Sequence, residues 1–118
     1  MILAGTTSKV TEELLKASIF VFPSAYEGFP LAMTEAMSAG LPVIAFKNTP
    51  AVNELIIDGK TGFLSEYNTD AFATCLEKMM NDEAMRLEMG AKAIDSIKAY
   101  SADTIYGKWD SVLLDLNF

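Results

Sequence analysis

The chain has 118 residues, 51% hydrophobic and 21% charged, with nine basic against sixteen acidic side chains and a formal charge of −7. This length gives one domain around one core, and this apolar content excludes a disordered chain. The acidic balance excludes a nucleic-acid binder, which needs basic patches for phosphate, and no apolar run reaches the roughly 18 to 20 residues of a membrane span.

Met1 to Ala4 reads as a short strand closed by Gly5. The same segment has no basic leader and does not read as a signal peptide. Thr6-Thr7-Ser8 offers capping hydroxyls to a helix with Val10, Leu14, Leu15 and Ala17 on one face. Ile19 to Phe22 is a continuous apolar run, which predicts a parallel strand covered on both faces. The next helix is expected to begin near Pro30, because proline suits the first helical position, and to end at Gly40. Ala32, Ala36 and Ala39 give it a small-residue stripe that allows close approach to a sheet. Val43 to Phe46 predicts another strand, and Asn48-Thr49-Pro50 opens a helix with Val52, Leu55 and Ile56 on its apolar face. Asp58 to Gly62 is a turn by composition, followed by a short strand at Phe63-Leu64.

Three helices complete the chain. The first is capped at Thr69-Asp70, the second starts at Asn81-Asp82, and the third starts at Ser101 and carries Tyr106 and Trp109. Met33, Met37, Met79, Met80, Met85 and Met89 stand at helical spacing and read as core filling. Cys75, the single cysteine, reads as a small core residue. The order of elements predicts an α/β fold: a Rossmann-like parallel sheet of about three to four strands, flanked by helices, with a helical C-terminal tail.

The segment from Ser24 to Pro42 carries the chemistry. Glu27 and Glu35 stand eight positions apart across a helix start, between two strands. Sheets of this kind bind ligands at the carboxyl ends of their strands. Glu35 lies about one turn into the helix, and helical side chains lean toward the N-terminus, so its carboxylate can return to the mouth of a site. Its two acceptor oxygens match two adjacent hydroxyl donors; taken alone, it reads as a solvated helix glutamate. Gly28 permits close backbone approach or a positive φ. The free amides of a helix start suit anions and hydroxyls; since Pro30 has none, those of Phe29, Leu31 and Ala32 remain. The Phe29 side chain either packs or binds, and Thr34 either reaches a ligand or is solvated. Glu54 reads as a helix-capping or surface residue, with a site role as the alternative, and Lys47 and Lys60 read as solvated. No basic residue lies between positions 17 and 46, so the segment brings no local cation. With no histidine, one cysteine and no clustered Asp-x-Asp, no metal is expected.

Pro23-Ser24, Glu27-Gly28-Phe29-Pro30-Leu31, Glu35-Ala36-Met37, Ala39-Gly40-Leu41-Pro42-Val43 and Asp58-Gly59-Lys60-Thr61-Gly62-Phe63-Leu64 occur in this order. Together they resemble the retaining glycosyltransferases of family 4, whose signature is two glutamates separated by seven residues. The similarity runs from about residue 2 to residue 115. It implies the GT-B architecture, two Rossmann-like domains facing across a cleft. Residues 1–118 would be the later part of the C-terminal, nucleotide-sugar-binding domain. By this resemblance Glu27 is the catalytic position and faces the transferred sugar. Gly28, Phe29, Pro30, Leu31 and Glu35 bind the donor, Leu31 through its backbone to phosphate and Glu35 through the ribose.

The substrate implied is a nucleotide-diphospho-sugar, used without a cofactor or metal, for transfer with retention to an acceptor in polysaccharide biosynthesis. The implied location is cytoplasmic, peripheral to the membrane in the complete enzyme. Many relatives have glycine where Pro30 stands. The family's pyrophosphate-holding arginine and lysine fall upstream of Met1. The chain alone is therefore expected to be inactive, and to need the N-terminal acceptor domain or a partner chain. The alternative is a non-catalytic module, either a homodimer through an exposed sheet edge or one docked to a separate chain with the missing half.

Overall fold

Three strands pair in parallel, in the order β1 (Phe20–Phe22), β2 (Val43–Phe46), β3 (Gly62–Ser65). Phe20 stands opposite Val43, and Val43 opposite Gly62. The computed structural model describes residues 1–26 and 28–116. Parallel neighbours need crossovers, which α2 (Leu31–Ser38) and α3 (Pro50–Leu55) supply. The remaining helices are α1 (Val10–Lys16), α4 (Thr69–Met80), α5 (Glu83–Ile97) and α6 (Ala102–Asp115), with a 3-10 turn at Lys98–Tyr100.

Side chains alternate between the faces of a strand, and each face has its own core. On one, Phe20, Phe22, Val43 and Ala45 meet Met33 and Met37 of α2, Val52 and Leu55 of α3, and Ala93 and Ile97 of α5. Both crossovers therefore cover the same face, as right-handed connections running in one direction require. On the other face, Ile44 and Phe63 meet Phe72, Leu76 and Met79 of α4 and Met89 of α5. The methionine reading holds for Met33, Met37, Met79 and Met89, which are buried, but not for Met80, which is exposed.

Close backbone contact locks the base of the layers. Gly40 has φ +82 and follows α2. The Gly40 and Leu41 amides donate to the Met37 and Ala36 carbonyls at 3.0 and 3.1 Å, the pairing that ends a helix on a left-handed residue. A Cβ on Gly90 of α5 would lie 2.0 Å from the Gly40 carbonyl oxygen, and one on Gly62 would lie 2.0 Å from that of Val43.

Several expectations change. Residues 1–4 form no strand, and Ile2 is 90% exposed. Both sides of β2 are taken by β1 and β3, and this segment pairs with neither outer edge. β1 is covered on one face only: it is an edge strand, and Val21 on its other face is 43% exposed. The residue capping α1 is Lys9, without a side-chain bond, while Thr7 Oγ1 accepts the Lys9 amide at 2.9 Å in a turn before the helix. α1 buries none of its residues. In α2 the inward face is Met33, Ala36 and Met37; Ala32 points outward, so the alanine stripe does not form the contact.

The later helices start at side-chain caps, and the cap of α4 is Asn68 rather than Thr69-Asp70, which lie inside its first turn. Asn68, Asp82 and Ser101 accept the amides of Ala71, Met85 and Thr104. α6 buries no residue, and its Trp109 is 61% exposed. This helix contributes to a radius of gyration of 16.0 Å, against about 13 to 14 Å for a compact domain of this length. No helix among the described residues is long and apolar enough to cross a membrane.

Candidate functional site

The loop after β1 leads to the start of α2 at the carboxyl ends of the strands. Pro23 stops β1, and the Ser24 amide turns back to the Phe22 carbonyl at 2.9 Å. The Ser24 hydroxyl donates to the Tyr26 carbonyl at 3.1 Å. From the loop after β2, the Thr49 hydroxyl donates to the Ser24 carbonyl at 3.1 Å. Thr49 is 1% exposed, so this is an internal brace between the two loops that follow neighbouring strands. Thr49 also serves as the N-cap residue of α3, with Pro50 at the first helical position.

Glu27 lies outside the described residues. A Cβ on Gly28 would meet nothing within 4 Å, which leaves room for close approach to its backbone. Pro30 stands one position before α2 rather than at its first residue. Its ψ of 82° is not helical, its carbonyl accepts the Thr34 amide at 3.1 Å, and its ring is buried. The Leu31 amide donates to the Phe29 carbonyl at 3.0 Å, so it is already engaged. The amides of Ala32 and Met33 have no protein partner among the described residues. These two are the open donors of the helix start.

Glu35 is exposed one turn inside α2. It borders a groove of about 580 Å³ that also takes in Phe29, Thr34, Ser38, Lys98 and Tyr100. That volume is in the usual range for small-molecule sites, about 300 to 1,000 Å³. The Thr34 hydroxyl donates to the Leu31 carbonyl at 2.8 Å, the ordinary arrangement of a helix hydroxyl. Lys98 brings a cation to the groove, although Asp95 engages it at 3.1 Å. Both partners are well exposed, and such a pair contributes little. The Phe29 and Tyr100 rings lie 6.0 Å apart between centroids, tilted by 46°.

The fold thus brings together Gly28, Phe29, Pro30, Leu31 and Glu35 from the motif segment. It adds Thr49, Lys98 and Tyr100, which sequence reasoning did not place here. Thr49 was legible only as a helix opener, and nothing near Lys98 or Tyr100 in the sequence ties them to α2. Glu54 and Lys60 are exposed as expected, and Lys47 pairs with Glu66. No group of three or more metal-ligating side chains occurs among the described residues. Cys75 is half-buried on α4; burial, and after it the Asp58 carboxylate, push its thiol above the ordinary range, while Lys78 opposes them.

Against this geometry, the family model described as glycosyl transferases group 1 matches residues 1–96. The chain belongs to that family. The exopolysaccharide phosphotransferase SCO2592 of Streptomyces coelicolor is 33% identical over 116 residues, 97% of this chain and 12% of that protein. Staphylococcus aureus TarM, solved as a point mutant with fondaparinux, α-GlcNAc-glycerol and UDP, matches with a TM-score of 0.83 and 34% identity. The match covers 93% of this chain and 23% of TarM. The C-terminal domain of the group 1 family protein LpcC from Francisella tularensis matches with a TM-score of 0.73 and 26% identity, over 86% of this chain and 53% of that domain. The fold is that of a GT-B C-terminal domain, a parallel Rossmann-like sheet between helices. This group 1 chain spans less than a third of the curated relatives it matches.

Proposed function

We propose that this chain supplies part of the donor site of a retaining glycosyltransferase of family 4, and that it transfers no sugar by itself. In the whole enzyme a glycosyl group passes from a nucleotide-diphospho-sugar to an acceptor with its anomeric configuration kept. The observation that carries this reading is Glu35, exposed one turn inside α2, the helix that follows the loop at the carboxyl end of β1, and bordering an open groove between α1, α2 and α5. Its carboxylate accepts from the two ribose hydroxyls. The free Ala32 and Met33 amides face the diphosphate, Leu31 and Phe29 frame it, and Gly28 leaves clearance. Glu27 faces the transferred sugar and favours the positive charge that grows on it in the transition state. No metal or cofactor takes part. TarM, which shares this fold, was solved with UDP, which supports a nucleotide donor. The exopolysaccharide relative supports a place in polysaccharide biosynthesis; a location on the cytoplasmic side, peripheral to the membrane, is part of the same proposal.

Electrostatics sets the strength of binding. The chain carries a net charge of −7, and a pyrophosphate adds about two more negative charges, which repel it at any realistic dielectric. Lys98 lines the groove, but the neighbouring Asp95 carboxylate offsets its charge. The arginine and lysine of the family motif, and the acceptor domain, come from outside this chain. Binding is therefore expected at about millimolar strength. Titration with several nucleotide-diphospho-sugars, followed by amide chemical shifts, tests this. Shifts at Gly28, Leu31, Ala32 and Glu35 without sugar transfer are expected. Shifts confined to α4 or α6 would overturn the site, and micromolar binding would overturn the electrostatic argument.

A second reading is a non-catalytic module that self-associates or docks with a chain carrying the other half. It is favoured by α6, which buries none of its residues, and by the open β1 edge.

A further inference from the structure

Tyr100 ends the 3-10 turn between α5 and α6, far along the chain from the motif segment, yet its ring meets Phe29. Phe29 is 54% exposed and Tyr100 41%, so neither is a core residue, and each sits at the rim of the groove that Glu35 borders. On one side of Phe29 the buried Pro30 ring anchors the chain; the Phe29 ring itself, half exposed, has Tyr100 as its ring partner among the described residues. Gly28 has open space around it. Phe29 is the residue on which the helix start is built. Its carbonyl accepts the Leu31 amide, and it precedes the bend at Pro30, whose ring restricts the backbone of the residue before it.

We propose that Tyr100 is a positioning residue for this loop. Its ring fixes Phe29, and through the Phe29 carbonyl it fixes the Leu31 amide and the direction in which the Ala32 and Met33 amides point. The proposal rests on the donor-site reading of that loop. Tyr100 acts through Phe29 and touches neither the donor nor the reacting atoms. The ring and not the hydroxyl is the working part, because the contact is ring to ring. The junction that aims the loop also launches α6, since Ser101, the next residue, caps that helix.

Hydrogen exchange and UDP binding by the full chain test this. In Tyr100→Ala the Leu31 amide is expected to exchange faster, and UDP to bind more weakly, each by about two- to tenfold, the worth of one aromatic pair. Amides of α4 should be unaffected. Tyr100→Phe should restore both readouts. In Leu31 exchange, adding Phe29→Ala to Tyr100→Ala should cost nothing more, because the two rings act on that amide as one unit; UDP binding is not used for this cycle, since Phe29 borders the donor. Unchanged Leu31 exchange, a Tyr100→Phe variant as impaired as Tyr100→Ala, or strictly additive effects on Leu31 exchange would overturn the proposal. If Tyr100→Ala does not fold, Phe29→Leu reads the same contact from the other side and should speed Leu31 exchange. If the wild-type chain binds no UDP, the donor reading fails, while the exchange comparison still decides whether Tyr100 positions the loop.

Discussion

Glu35 and Cys75 show how environment divides side chains that look equally plain in sequence. Glu35 is exposed, so its replacement should leave stability within about 0.5 kcal/mol. Glu35→Gln removes the charge that strengthens bonds to ribose hydroxyls, and is expected to weaken donor binding about tenfold. Paired thermal melts and shift titrations separate the two effects; a large loss of stability would instead make Glu35 structural. Cys75 makes a prediction about pH. Its thiol is held above the ordinary range, chiefly by burial, so the folded state favours the protonated form. That contribution is fully present below the pKa of the unfolded thiol and is lost as pH rises through the folded value. Urea unfolding should therefore show stability falling on the alkaline side of the ordinary thiol value, and falling less in Cys75→Ala. A profile identical in the two proteins would remove Cys75 as the cause.

Helices and strands are set by two kinds of signal, caps and clearances, with different legibility. Asn68, Asp82 and Ser101 cap α4, α5 and α6 through their side chains, and the starts of these helices could be read within a residue. Asn68→Ala should cost about 1 kcal/mol. The clearance at Gly90 could not be read, because nothing in α5 announces that the Gly40 carbonyl will lie 2.0 Å from where a Cβ would stand. Gly90→Ala improves helix propensity, yet it is expected to destabilise by about 1 to 3 kcal/mol, because backbone must move to admit the methyl group. Denaturant unfolding of both variants decides the order; a stabilising Gly90→Ala would mean that α2 and α5 separate at little cost. The misplaced start of α2 belongs here too. Proline suits the first helical position, but at Pro30 the burial of the ring and the non-helical ψ place the first helical residue at Leu31.

At the level of the whole molecule the stable part is the three-strand sandwich, and α6 stands apart from it. Truncation after Gly107 removes no buried residue among those described, and should change unfolding free energy by less than about 1 kcal/mol. The same truncation removes exposed Trp109, Val112 and Leu113. Patches of that kind favour association, so the intact chain should show concentration-dependent association in sedimentation, and the truncated chain less of it. Association that persists after truncation would assign it to the β1 edge. A clean monomer at high concentration would weaken the module reading altogether.

The sequence by itself determined the alternation of strands and helices from β1 onward, the starts of α5 and α6 and the segment that carries the chemistry, because periodicity, caps and turns are local. It also carried the family, through motifs in a fixed order. Tertiary structure decided which surfaces close on each other. It made β1 an edge, left residues 1–4 unpaired, seated Gly90 on Gly40, braced the loop after β1 with Thr49, brought Tyr100 to Phe29 and set Lys98 in the groove beside α2. Those outcomes depend on distances between segments remote in the chain, and the side chains near each one in sequence do not encode them.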